Sequence, residues 1–332
     1  MTATGSPAPA VARCSVLARA AGEPLAGTAP RARAWLVLEQ AGPYGFRALT
    51  TSHLPERVRE ALGGLPKDSG TTVVLARRVG RHADDHAGTG SRRFWFAHVA
   101  PGGVRMRSGL LDDAELLRPD LADVLAAASR GELPPWGARG TDPLLLVCTN
   151  ARRDICCAIE GRPVAESLAA DPAYASRVLE VSHLGGHRFA PTALLLPSGH
   201  AFGRLDAAST RAVLDGAAAG EIGALEHHRG RTSLPQPAQA AETAVRAATG
   251  VLGLDDLDSL RLVDGRAVPA GLRWTGDGEV AQVQVRHRDG RAWHVEVVRT
   301  TLPEPKPESC GKAAIDAHVW VAGVPERLPD WA

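Results

Sequence analysis

Two short apolar segments in the middle of the chain each end where residues that commonly bind metals begin. Leu144-Leu-Leu-Val-Cys148 leads through the polar stretch 149–154 to Cys156-Cys157, and Arg177-Val-Leu-Glu-Val181 leads into Ser182-His-Leu-Gly-Gly-His187. Short apolar runs bounded by turn residues predict buried strands. Strands that end at the same edge of a sheet bring together the loops that follow them. We therefore expect the cysteines on one loop to meet the histidines on the other.

The elements around these loops predict an α/β fold of the α+β kind. The predicted order is a strand over 144–148, a helix over 163–170, a strand over 177–181, a hairpin of 193–196 with 201–205, and a helix over 209–219. This order of strands and helices suits a small thioredoxin-like sheet.

The chain divides into three predicted units, residues 1–135, 141–235 and 236–332. The first alternates strand and helix signals, which predicts an N-terminal α/β segment and allows a second thioredoxin-like unit without ligands. Residues 133–143 break all periodicity and indicate a linker. The third unit joins an Ala-rich helix to two strands connected at Asp289-Gly290, a strong hairpin signal, and is predicted to be a small α+β unit.

Charge and hydropathy exclude several classes of protein. The 38 Lys and Arg residues nearly balance 37 Asp and Glu, so no overall field attracts nucleic acid or an anionic membrane. No apolar run approaches the roughly 20 residues that a membrane helix needs. The first 22 residues have no continuous apolar core behind a basic end, so we expect no secretory signal and a cytoplasmic location.

Paired cysteine and histidine ligands indicate an iron–sulfur site. Two thiolates and two neutral imidazoles can hold a 2Fe–2S cluster, with both sulfurs on one iron and both imidazoles on the other. Replacing anionic thiolates by neutral imidazoles raises the reduction potential. An imidazole ligand that titrates near neutral pH also couples electron transfer to a proton. The two glycines inside His183-Leu-Gly-Gly-His187 let the backbone turn tightly beside a bulky cofactor.

The same residues resemble the sucrase/ferredoxin-like family, whose members carry a thioredoxin-like ferredoxin domain. The resemblance lies in CTNARRDICC and in VSHLGGHRFAPTALLLPSGHAFGRL, with GEPLAGTAP adding support, and it spans most of residues 14–230. In that family an Arg-Asp-x-x-Cys motif supplies the second cysteine. The resemblance thus implies a 2Fe–2S cluster, and it implies that its ligands are Cys148, Cys157, His183 and His187.

Three further cysteines need an assignment. Neighbouring residues point in different directions, so Cys156 and Cys157 are not expected to bind the same iron. The resemblance favours Cys157, with Cys156 as the alternative ligand and otherwise a small residue packed inward. Cys14 and Cys310 are isolated in the sequence, and each is predicted to be structural.

The leading hypothesis is an electron carrier without a catalytic step of its own, served by a redox partner protein whose identity the sequence does not reveal. Arg152-Arg153 is a candidate for hydrogen bonds to the cluster or for docking an acidic partner, with a solvated loop as the alternative. Two other functions remain open. One is a zinc-stabilised structural or interaction module, although Cys148 and Cys157 are spaced more widely than zinc cysteine pairs. The other is a cofactor-free thiol oxidoreductase, although a compact Cys-x-x-Cys is missing.

Overall fold

The computed structural model describes residues 13–80, 90–101, 105–261, 273–275 and 278–329. The helices in these ranges are α1 (Cys14–Ala20), α2 (Ala48–Thr51), α3 (Glu56–Gly63), α4 (Asp113–Leu116), α5 (Leu121–Ser129), α6 (Ile155–Ala169), α7 (Ala207–Ala218) and α8 (Gln236–Thr249). Short 3₁₀ turns lie at Ala175–Arg177, His187–Phe189 and Leu225–His227.

The strands form two sheets. Those of the first are β1 (Ala34–Glu39), β2 (Thr71–Arg77), β3 (Ser91–His98), β4 (Arg105–Asp112), β5 (Ala138–Gly140), β6 (Leu144–Cys148), β7 (Val178–Val181), β8 (Ala193–Leu196), β9 (His200–Phe202) and β10 (His228–Arg231). Those of the second are β11 (Leu257–Arg261), β12 (Arg273–Thr275), β13 (Gly278–His287), β14 (Ala292–Thr301), β15 (His318–Ala322) and β16 (Glu326–Arg327). The predicted mixed α/β class is confirmed.

The first sheet has ten strands in the order β10-β9-β8-β6-β7-β2-β1-β3-β4-β5. In its second half, β6 and β7 are parallel, β8 is antiparallel to β6, and β9 is antiparallel to β8. The order β7-β6-β8-β9, with α6 crossing between the two parallel strands, is the one expected of a thioredoxin-like unit. The parallel pair requires such a crossover connection.

The first half of the sheet repeats this arrangement. Strands β1 and β2 are parallel, β3 is antiparallel to β1, and β4 is antiparallel to β3, so the order is β2-β1-β3-β4. Strand β5 extends the edge by pairing with β4, and it lies within residues 133–143, where the sequence predicted only a linker. The strand is only three residues long, which is too short to carry a periodic hydrophobic pattern.

The central strands are buried on both faces, which explains their uninterrupted apolar runs. All residues of β6, β7 and β8 are buried. One face carries an apolar cluster that extends over both halves of the sheet and includes Trp35, Leu146 and Cys148. On the other face α3–α5 cover the first half, and α6 and α7 cover the second.

The second sheet runs β11-β13-β14-β15, with β12 paired to β13 and β16 paired to β14. The predicted hairpin at Asp289-Gly290 joins β13 to β14, and Gly290 has a φ of 96° there. Helix α8 packs its apolar side on this sheet, in a cluster with Val283, Val295 and Trp320. In the described part of the chain, no helix is both long and apolar enough to cross a membrane.

The two halves of the first sheet meet where β2 and β7 pair antiparallel through only two residue pairs. Ser182 extends this seam, since its backbone N–H donates to the Leu75 carbonyl at 2.9 Å and its hydroxyl accepts from the Leu75 N–H at 3.1 Å. An ion pair completes it: Arg77 Nε donates to the buried Glu180 carboxylate at 2.8 Å, and the Thr149 hydroxyl donates to the same oxygen at 2.9 Å.

We expect Glu180→Ala to weaken this seam, because it leaves a nearly buried guanidinium and a buried hydroxyl without their acceptor. Breaking one side of a buried pair costs about 3 kcal/mol. Urea unfolding of the variant measures the loss. The matched control is Glu39→Ala, which removes the carboxylate 3.9 Å from the exposed Arg93 and should change stability by about 0.5 kcal/mol or less. Equal stability of the two variants would contradict this role of the seam.

Candidate metal centre

The two predicted cysteine ligands reach the site from different elements. Cys148 is the last residue of β6, and Cys157 is the third residue of α6; both are buried. The prediction that they share one loop is therefore wrong for Cys157. The helix begins at Ile155, eight residues earlier than predicted, because Asp154 caps it by accepting from the Cys156 N–H at 2.9 Å.

Close packing brings α6 against the end of β6. A Cβ atom at Gly161 would lie 2.4 Å from the Cys148 carbonyl oxygen, so only glycine allows the helix to pass at this distance. The helix and the strand end thereby hold Cys148 and Cys157 beside one another.

The histidines lie on the loop that follows β7, which is parallel to β6, so both loops leave the sheet at the same end. Gly185 and Gly186 both have a φ of 75°, a conformation that suits glycine. The turn they form brings the rings of His183 and His187 together, with centroids 4.9 Å apart and planes tilted by 31°. Cys157 Sγ lies 3.1 Å from His187 Nδ1. The structure thus brings all four predicted residues to one place.

One polar atom of this group stands out. The Nδ1 atom of His183 is buried and has no hydrogen-bond partner among the residues that the structure describes. Leaving a buried polar group unsatisfied costs about 1–3 kcal/mol, so native structures rarely do it without a reason. Coordination of a metal through that nitrogen would be such a reason.

The ionisation of the group suits metal binding. The hydrogen bond from Cys157, together with nearby His183, holds the pKa of the Cys148 thiol well below its usual value, although burial opposes this. The same hydrogen bond and burial raise the pKa of Cys157. Burial lowers the pKa of His187, which favours the neutral imidazole that a metal requires. These pKa shifts favour the thiolate at Cys148, the thiol at Cys157 and the neutral ring at His187.

Sequence reasoning missed a buried arginine next to this group. Arg229 on β10 donates to the Gly185 carbonyl at 3.1 Å and also to the carbonyl of Thr28. Burial lowers its pKa to about 9, while the charges of Cys157 and Cys148 act in the opposite direction. In the sequence, Arg229 is one of two arginines in the polar stretch Arg229-Gly-Arg231, and nothing in this pattern indicates that it lies next to the site.

A groove of about 680 Å³ reaches His183 from the surface. Arg153 lies on its wall, with its guanidinium 4.6 Å from the centre of the exposed Phe46 ring. Arg47 and Lys67 also line the groove, and none of the described lining residues is acidic. Of the predicted pair Arg152-Arg153, the second therefore faces a cationic groove that ends at the site.

A second group of possible ligands lies behind the first. The ligand atoms of Cys14, Asp154, Cys156 and Cys310 all lie within 4.8 Å of one another, so this group could hold a metal ion. Cys14 and Cys310 are isolated in the sequence, but folding brings both of them to Cys156 at the start of α6. Sequence separations of 142 and 154 residues from Cys156 carry no signal of such a meeting.

Hydrogen bonds within the second group also shift the pKa values of its members. A hydrogen bond from Cys14 lowers the pKa of Cys156 to about 6, and the same bond raises the pKa of Cys14. Burial would raise the pKa of Asp154, but hydrogen bonds from Ser309 and the backbone of Cys310 hold it below its usual value. A carboxylate and a thiolate therefore face one another across the group.

A mixed α/β sheet with cysteine, histidine and aspartate side chains gathered around the start of α6 defines an α/β protein with a candidate metal site. A family model described as sucrase/ferredoxin-like matches residues 27–230, which is more than half of the chain. The chain belongs to the sucrase/ferredoxin-like family, and the resemblance noted in the sequence is confirmed. No curated protein and no solved structure matches it.

Proposed function

We propose that this protein is an electron carrier that holds a 2Fe–2S cluster through Cys148, Cys157, His183 and His187. The observation that carries the proposal is the meeting of these four side chains at the end of β6 and β7, with His183 Nδ1 buried and unpartnered. Two thiolates and two neutral imidazoles match the ligand set of a mixed Cys and His cluster.

The spread of the four side chains favours a cluster over a single ion. Ligands of one tetrahedral ion must all lie close together. Among the described residues, the group that meets a mutual distance of 4.8 Å is the other one, around Cys156. A binuclear cluster distributes its ligands over two irons and needs a longer site. This supports iron–sulfur binding over a zinc module at these four residues.

A bound cluster would supply a one-electron carrier. The chain's own residues then orient it and control access: α6 and β6 fix the two thiols, the Gly185-Gly186 turn fixes the two rings, and burial excludes water from Cys148 and Cys157. With Nδ1 of each histidine as the ligand atom, Nε2 would remain to hold or release a proton.

The first expected outcome concerns metal content. Protein purified anaerobically should be red-brown, with two iron and two acid-labile sulfide per chain. Separate substitutions of the four ligands, Cys148→Ser, Cys157→Ser, His183→Ala and His187→Ala, should each remove most of the iron and sulfide. Cys156→Ser, the neighbouring control, should retain both. Colourless, iron-free wild-type protein with a Cys148–Cys157 disulfide would replace this proposal by thiol oxidoreductase chemistry.

The second expected outcome is a reduction potential that falls as pH rises. Reduction makes the histidine-bound iron less electron-withdrawing, so the imidazole binds its proton more tightly in the reduced state. Between the two pKa values reduction takes up a proton, and the potential falls by up to about 59 mV per pH unit. Protein-film voltammetry from acid to alkaline pH measures this slope.

The control for the pH dependence is a variant in which thiolates replace both imidazoles, His183→Cys with His187→Cys. If it retains the cluster, its potential should be lower and flat over the same pH range, since no titrating ligand remains. A flat profile in the wild type would rule out histidine ligation.

We further propose that the electron enters or leaves through the groove at His183, and that the partner is a redox protein with an acidic face. Arg47, Lys67 and Arg153 line the groove, and no carboxylate stands among its described lining residues, so an anionic surface is favoured there. The half-buried His183 is the predicted ligand closest to solvent, whereas the two cysteines and His187 are buried.

Small redox reagents of opposite charge test this route. The reduced protein should be oxidised faster by anionic ferricyanide at low salt than at high salt, because salt screens the attraction. Arg47→Glu and Lys67→Glu should each slow ferricyanide and speed a cationic ruthenium ammine. Arg288→Glu, an exposed arginine on the second sheet, is the matched control and should change neither rate. Equal effects of all three variants would rule out the groove as the route.

A further inference from the structure

The doubled cysteine at the start of α6 serves two places in the structure. Successive residues of a helix point about 100° apart. Cys157 accordingly faces His187, whereas Cys156 faces Cys14 and Cys310. If Cys156 only filled space in the core, it would not need two other thiols beside it. The group around Cys156 therefore requires a separate explanation.

We propose that Cys14, Cys156, Cys310 and Asp154 bind one structural zinc ion that fastens α1 and the connection between β14 and β15 to the start of α6. The site is separate from the proposed cluster and does not depend on it, since the two ligand sets share no residue. Zinc in structural sites takes four ligands in a tetrahedron, and thiolates are its preferred ones.

The distances fit a tetrahedral ion. Two sulfurs that are each 2.3 Å from a tetrahedral zinc lie about 3.8 Å apart. The Sγ atoms are 3.6 Å apart for Cys14 and Cys156, 3.3 Å for Cys156 and Cys310, and 3.6 Å for Cys310 and Cys14. The Cys14 Sγ atom lies 3.7 Å from an oxygen of Asp154, against about 3.5 Å in such a tetrahedron. Three sulfurs and one oxygen thus lie at about the distances from one another that a single tetrahedral zinc ion requires.

Hydrogen bonds around the group orient its ligands, as second-shell groups do in metal sites. The Asp154 carboxylate accepts from the Ser309 hydroxyl at 2.6 Å and from the Cys310 N–H at 2.9 Å. The Ser15 hydroxyl donates to Cys156 Sγ at 3.3 Å. Cys156 also lies in the first turn of the 15-residue helix α6, whose N-terminus favours negative charge.

The ligands come from three distant segments, so zinc would close long loops of chain. Cys14 begins α1, Asp154 and Cys156 begin α6, and Cys310 lies in the connection between β14 and β15. Nearby, Lys306 pairs with the fully buried Glu23, which Arg188 also contacts at 2.9 Å. The same C-terminal connection is therefore already seated against α1 and the histidine loop.

Zinc binding needs no redox partner. The ion replaces the protons of those cysteines that are still thiols, each S–H bond giving its proton to solvent and each sulfur keeping its electron pair for zinc. The competing chemistry is a disulfide, which removes two hydrogens and requires an oxidant. Mononuclear iron without sulfide is the competing metal.

The decisive experiment is a metal count on full-length protein from cells grown with iron and zinc, with any affinity tag removed. Wild type should contain one zinc per chain in addition to any iron. Cys14→Ser and Cys310→Ser should lose the zinc and keep the iron and sulfide of wild type. Cys157→Ser should keep the zinc whatever happens to the iron. Zinc lost from Cys157→Ser but kept in Cys310→Ser would assign zinc to the other site and overturn the proposal.

Two further measurements separate zinc from its competitors and from misfolding. Intact mass under non-reducing conditions should show no loss of hydrogens; a disulfide among Cys14, Cys156 and Cys310 would overturn the proposal. Cobalt added to zinc-stripped Cys157→Ser should give the intense visible bands of tetrahedral thiolate coordination, and Cys310→Ser introduced into that variant should abolish them. Absence of those bands, or iron without sulfide in place of zinc, would also overturn it.

A separate experiment tests whether zinc holds the connection between β14 and β15 in place. Zinc removal from the wild type by chelator should lower Tm and speed proteolysis within residues 302–317, and zinc added back should reverse both. The Cys310→Ser variant should already show the fast cleavage and should not respond to zinc. Cleavage that is unaffected by chelator would show that zinc does not fasten this segment.

Discussion

Both metal-ligand groups depend on the hydrogen bonds that the Asp154 carboxylate accepts. It caps α6 through the Cys156 N–H, and it accepts hydrogen bonds from Ser309 and Cys310. The cap fixes where the helix starts, and the start decides the directions of Cys156 and Cys157. Without it, the helix could begin near Pro163, a residue favoured in the first turn, and both cysteines would lie in a loop without fixed directions.

The repeated strand order explains how one half of the sheet supports the other. The first half has the same arrangement as the second, yet the described residues of β1–β4 include no cysteine. Its contribution is structural: it covers the edge of β7 with β2, and it supplies the groove wall through Arg47 and Lys67. The first half can thus bury the half that carries the four candidate ligands and shape the approach to them.

The sequence predicted what short-range patterns encode. Apolar runs fixed β6, β7 and β8, and parallel strands must end together, which is why the four residues of the first group could be placed in one site. The start of α6 was wrong because Pro163 resembles a helix beginning, whereas the true cap is the side chain of Asp154. The second group was missed because contacts across 142 and 154 residues leave no periodic trace, and nothing in the sequence distinguishes the buried Arg229 from the other arginines of the chain.

Charges in the second group also act on the pKa of a thiol in the first. The negative charges of Asp154 and Cys156 act with Cys148 to raise the pKa of Cys157, so electrostatic effects pass across the first turn of α6. A zinc ion with three thiolates and one carboxylate carries a net charge of −2, because Cys14 and Cys310 lose their protons when they bind it. Asp154 and the Cys156 thiolate already give the empty group the same net charge. Filling the second site would therefore leave the net charge beside the first site unchanged, and the adjacent cysteines would allow one helix to hold a structural ion without shifting the neighbouring group through its net charge.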